Sequence, residues 1–137
     1  MNDRYLYRAK RTDNGEWVEG YVVKYGFTNR EKFYIVPQYA SDLYGFEVDP
    51  STICQCTGLK DKNGKLIWEK DIVAYWDTYS TESGYSEVDC IGKVFWDGET
   101  MSFQVTGRLS AESYEVLDEC SVIGNIFDNP ELLEVGE

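Results

Sequence analysis

Asp61, Glu69 and Asp71 are the residues of this chain whose type and spacing could do acid–base chemistry. Two carboxylates in different surroundings can serve as acid and base, because burial and neighbouring charge push their pKa values apart. Their setting offers another use. Asp61 opens a D-K-N-G turn, and Glu69 and Asp71 sit in a tight turn ahead of I-V-A-Y-W, where Asp commonly accepts backbone amides. We expect the turn role and no catalysis. The chain has no histidine, so the usual general base is missing and a cysteine nucleophile would lack its customary partner. No phosphate-binding loop, dinucleotide fingerprint or nucleophile elbow occurs.

The cysteines are Cys54, Cys56, Cys90 and Cys120. A structural zinc site is normally built from paired knuckles of two closely spaced cysteines. Here one C-x-C stands with two distant partners. On a strand, Cys54 and Cys56 would share a face, and all four read as small, partly buried thiols in a reducing compartment. We expect no metal, no cofactor and no structural disulfide.

The candidate binding residues are Trp17, Tyr21, Trp68, Asp71, Tyr75, Trp96 and Asn125. The five aromatics could line a groove for a Pro-rich peptide or for bases; filling a small core is the alternative use. Asn125 follows Gly124 in V-I-G-N-I-F. Gly there suits the close approach of another strand and Asn a donor to a neighbouring loop, with a binding role as the other option. Arg8, Lys10 and Arg11 form the one tight basic cluster, read as a solvated strand face or a local anion contact.

Charge limits the partners. The net charge is −12, and residues 71–137 carry only Lys93 and Arg108 as cations against 15 acids. Phosphate contacts dominate nucleic-acid affinity, so nucleic acid is a disfavoured partner. No apolar run approaches a membrane span, and the first residues lack the apolar core of a signal peptide; the expected location is the cytoplasm.

Strands must position these residues. Aromatics make up 15% of the chain, and they pack well on pleated surfaces. Residues 4–11 and 16–24 flank Asn14-Gly15, a hairpin signal because both central positions of a type I′ turn need φ > 0. Asp97-Gly98 is the second such signal. Residues 32–37, 51–57, 72–76, 90–96, 101–106 and 120–127 read as further strands, and residues 109–117 are ambiguous. Residues 77–89 hold four acids and no cation and read as a long exposed loop. Pro130 suits the first turn of a short final helix.

Three ordered phrases add a likeness. They are residues 7–21, ending N-G-E-W-V-E-G-Y; residues 55–73, Q-C-T-G-L-K-D-K-N-G-K-L-I-W-E-K-D-I-V; and residues 122–133, V-I-G-N-I-F-D-N-P-E-L-L. They resemble the YopX family, found mainly in bacteriophages and prophages, over nearly the whole chain. The resemblance implies a mainly β protein carrying an SH3-like barrel, and it implies no reaction. Three positions depart from the family pattern: Ala9 and Lys70 stand where Gly is usual, and Cys56 where Tyr is usual. A lysine forced to φ > 0 at position 70 would carry about 1 kcal/mol or more of strain.

The expected architecture is therefore one mainly β domain over residues 1–137. It has a hairpin-rich part at 1–50, a small SH3-like barrel at 51–137 and a short C-terminal helix. The expected function is a non-catalytic phage or prophage accessory protein that binds a protein partner or itself. The alternatives are a nucleic-acid-binding small β-barrel and an acidic, DNA-mimicking inhibitor of a host protein.

Overall fold

A computed structural model of the chain describes residues 5–26, 31–37, 45–106, 116–117 and 119–133. The chain is mainly β and divides into two compact units, Met1–Cys56 and Thr57–Glu137.

In the first unit, β1 (Tyr7–Lys10), β2 (Trp17–Tyr25), β3 (Lys32–Val36), β4 (Phe46–Val48) and the start of β5 (Cys54–Lys60) run antiparallel in the order β4-β3-β2-β1-β5. The β1–β2 register settles which face of β2 is inward. Ala9 lies opposite Val18 and Lys10 opposite Trp17. Directly opposite residues share a face, so Val18 and Val22 follow Ala9 inward to Ile35 and Val48. Trp17 goes to the other face, with Lys10. Gly20 is required by contact: a Cβ there would lie 2.1 Å from the Val36 carbonyl oxygen.

The β1–β2 connection forms where Asn14-Gly15 predicts it, by a different turn. Arg11 and Glu16 close a four-residue loop, the Gly15 amide donates to the Arg11 carbonyl at 2.9 Å, and Gly15 alone has positive φ, at 72°. Asn14 instead accepts the Glu16 amide on its side-chain oxygen at 2.9 Å. An Asx turn thereby supplies the reversal that a second left-handed residue would have made.

In the second unit the rest of β5 lies beside β6 (Leu66–Trp68). A four-stranded antiparallel sheet follows in the order β10-β7-β8-β9. Its strands are β7 (Asp71–Thr81), β8 (Gly84–Asp97), β9 (Ser102–Val105) and β10 (Ser121–Asn125). Ile67, Val73, Tyr75, Val94, Val105, Val116, Leu117 and Cys120 make the core.

Four expectations change here. Residues 77–89 are not a loop: β7 and β8 pair without interruption from Ile72–Lys93 to Thr81–Gly84, turning on Glu82 and Ser83 alone. The Asp97-Gly98 hairpin is real, but residues 98–101 form its loop and the left-handed residue is Met101, at φ 55°. Pro130–Leu133, where a short final helix was expected, is a 3-10 turn. Finally, no SH3-like barrel closes among the described residues. β10 pairs with β7 only as far as Ala74, and β9 pairs with β8 only from Val94 onward. Beyond those points β7 and β8 have no other strand partner among the described residues, whereas closure needs every strand flanked on both sides. Of the ambiguous segment at 109–117, only Val116 and Leu117 are described, in a helical turn.

Candidate functional site

The three carboxylates with catalytic potential are placed by two turns. Asp61 begins the β5–β6 turn. Its Oδ1 accepts the amides of Asn63 and Lys65, and its Oδ2 accepts the Val122 amide, each at 2.9 Å. One carboxylate thus ties the turn to β10. Burial is the largest single influence on this group and pushes its pKa up, yet the three amides outweigh it and hold the carboxyl below its ordinary value. Asp71 is buried, and its Oδ2 accepts the Trp68 amide at 2.8 Å across the β6–β7 turn. Between them Lys70 adopts φ 70°. A lysine therefore holds a left-handed position that favours glycine. The Lys70 amide donates to Val94 at 2.7 Å and its carbonyl accepts from Ile126 at 3.1 Å, while the ammonium sits 5.5 Å from the Phe127 ring centre.

The aromatic set is divided by burial. Trp68 and Tyr75 are buried, and the Tyr75 hydroxyl donates to the Thr106 carbonyl at 3.1 Å. Trp96 is partly exposed and stacks edge-on against Phe103, with centroids 5.0 Å apart. In the first unit Trp17 lies under two cations, Arg8 at 4.7 Å and Lys10 at 5.4 Å from the ring centre. The basic cluster is therefore partly a cation–π stack. Tyr21 sits on β2 opposite Val36. Asn125 works inside its own turn, its oxygen accepting the amides of Phe127 and Asp128 at 3.0 and 2.9 Å. The neighbour that demands Gly124 is the Asn129 side chain and not a strand, since a Cβ would stand 2.4 Å from its Oδ1.

The cysteines remain thiols. Burial first, then the Asp61 charge, pushes Cys120 up to about 11. Cys90 is also raised, by burial and then by the Asp77 carboxylate.

The surface that sequence reasoning missed is the distal half of the β7–β8 ribbon. Trp76, Tyr79, Tyr85, Val88 and Ile91 are all exposed there, Tyr85 at 79% and Trp76 at 51%. Glu82, Glu87 and Asp89 are exposed among them. No Lys or Arg falls between Asp71 and Lys93. The available signal was the density of strand formers (Thr78, Tyr79, Thr81, Tyr85, Val88) on both sides of E-S-G; the acids and serines hid it. Such a ribbon can contact a macromolecule. Among the described residues no group of three or more His, Cys, Asp and Glu could hold a metal ion.

Comparison with known proteins supplies the family. No curated protein matches the chain. Among solved structures, the crystal structure of protein EF1440 from Enterococcus faecalis is similar, with a TM-score of 0.50 and 26% identity over 93% of this chain and 96% of that one. The family described as YopX protein matches residues 6–134, which include the D-K-N-G turn, the Lys70 turn, the whole ribbon and Asn125; the chain belongs to the YopX family.

Proposed function

We propose that this protein is a non-catalytic interaction module of a phage or prophage, acting in the bacterial cytoplasm, and that the β7–β8 ribbon is its contact element. The observation that carries this reading is the ribbon's exposure. An isolated two-stranded hairpin is marginal in water, and exposed apolar residues grouped on one element mark interaction sites more often than singly scattered ones do. Here three aromatics and two aliphatics lie exposed between Trp76 and Ile91. The carboxylates in the turns support a scaffold role, since Asp61 and Asp71 accept backbone amides.

The test is capture from nuclease-treated host lysate by the intact chain and by a variant in which a two-residue turn joins residues 76 and 89. One host protein held by the intact chain and lost by the shortened one is the expected outcome. Equal capture by both chains would refute the ribbon as the contact. If the captured protein is one that binds DNA, the acidic-mimic reading gains, because Glu82, Glu87 and Asp89 are exposed with no intervening cation.

A further inference from the structure

The ribbon presents an ordered row of side chains beside a strand edge that is open among the described residues. In its register Ser80 faces Tyr85, Thr78 faces Glu87, Trp76 faces Asp89 and Ala74 faces Ile91. Residues paired in this way share one face of the sheet. Along β8 that face therefore reads Tyr85, Glu87, Asp89, Ile91, all four exposed.

Backbone phase completes the argument. With a two-residue turn, the closing pair Thr81–Gly84 is the hydrogen-bonded kind. Pairs then alternate, so the residues of the intervening pairs turn their N–H and C=O groups away from the partner strand. On β8 these are Tyr85, Glu87, Asp89 and Ile91. The Thr78 amide, which belongs to the same phase on β7, is consistent with this: it donates to the Asp77 carboxylate at 2.7 Å. β9 takes up β8 only from Val94, so among the described residues this stretch of β8 is an edge. Natural edges are usually blunted by charge. Glu87 and Asp89 do this against a second copy of the same acidic strand, but they do not do it against a basic one.

We propose that the Tyr85–Ile91 edge of β8 receives an extended cationic segment of a partner protein as an added strand. This rests on the interaction reading above and assigns its partner class. The added strand places alternate side chains over Tyr85, Glu87, Asp89 and Ile91. The chemistry that fits is apolar, Lys or Arg, Lys or Arg, apolar, at every second position. The row is symmetric in kind, so the pattern holds for either strand direction. Main-chain bonds supply affinity and the alternate side chains specificity, as in other cases of strand addition.

The probe is a short synthetic peptide with that alternation and Thr between, compared with a scrambled peptide of equal charge in which the cations are adjacent. Binding to the full-length chain is read by fluorescence anisotropy, and the amides by NMR. The expected result is binding of the alternating peptide about tenfold or more tighter than the scrambled one, with slowed amide exchange at Tyr85, Glu87, Asp89 and Ile91. Glu87→Lys with Asp89→Lys should abolish it, and a peptide carrying Glu in place of its cations should then bind the variant. Both positions are exposed, so the variant keeps the fold. Equal binding of scrambled and alternating peptides, or protection elsewhere in the chain, would overturn the proposal. So would a dimer that buries this edge in sedimentation. A host protein captured through the ribbon but without a basic extended segment would overturn the partner class and leave the interaction reading standing.

Discussion

Lys70 gives the most decisive test of how this fold was built from a sequence lacking the glycine usual at that place. The residue is held at φ 70° between two backbone hydrogen bonds, to Val94 and from Ile126, so the turn cannot relax by rotating it. A non-glycine residue in the left-handed region costs about 1–2 kcal/mol. Replacing it by glycine removes that cost but frees the unfolded chain, which takes back roughly 0.4–1 kcal/mol. It also deletes the ammonium over Phe127, worth about 0.5 kcal/mol at the low end for such contacts. Lys70→Gly should therefore be equal to or slightly more stable than the natural chain. Lys70→Ala keeps the strain and loses the cation, so it should fall about 0.5 kcal/mol below the natural chain. The comparison that isolates the backbone is glycine against alanine: glycine should win by about 0.5–1 kcal/mol, although at an ordinary φ it loses by a similar amount. Urea unfolding with an unchanged slope reads the difference directly, and in thermal melts it corresponds to about 2–4 °C. Alanine equal to or better than glycine would refute the strained turn.

Gly20→Ala puts a Cβ 2.1 Å from the Val36 carbonyl oxygen and 2.9 Å from the Pro37 Cα, both backbone. It should cost more than about 2 kcal/mol in denaturant unfolding, whereas Gly98→Ala, with open space around it, should be neutral or slightly stabilising. Asp61→Asn turns an amide NH₂ toward amides that need an acceptor; loss of about 2–3 kcal/mol is expected. Because the Asp61 carboxyl is depressed, its stabilisation is complete above the unfolded pKa near 3.9 and lost as pH falls through the lower folded value. The natural chain should lose stability more steeply than Asp61→Asn in acid titration below about pH 4. Cys120, raised to about 11, acts in the opposite direction: its contribution is present below the unfolded pKa near 9 and lost as pH rises toward 11. Alkaline stability should fall less in Cys120→Ala, and native-state alkylation at pH 8 should label Cys90 before Cys120.

The sequence determined the family and the chemistry of the turns. Ordered phrases at both ends and in the middle carried the likeness, and the D-K-N-G turn and Asp71 announced carboxylates bonded to nearby amides, as Asp61 is to Asn63 and Lys65 and Asp71 to Trp68; the bond from Val122 to Asp61, 61 residues apart, was not legible in the phrase. It also placed hairpins at Asn14-Gly15 and Asp97-Gly98, though not their loop lengths. Turn type depends on where the flanking strands fix the closing pair, and a side chain such as that of Asn14 can replace a second left-handed residue.

Tertiary structure decided which aromatics are available. Trp68 and Tyr75 look no different in sequence from Trp76 and Tyr85, yet the first pair is buried and the second exposed. On a strand one residue of register exchanges the faces, and register is set across the sheet by partners distant in the chain. The same holds for the ribbon itself. Beyond the buried Asp77, exposed residues fall on both faces of the ribbon, Tyr79 and Val88 on one and Tyr85, Glu87 and Asp89 on the other, which removes the alternation by which a strand is recognised. Only the pairing of β7 with β8 made that stretch part of a strand ribbon, whose β8 side is an edge among the described residues.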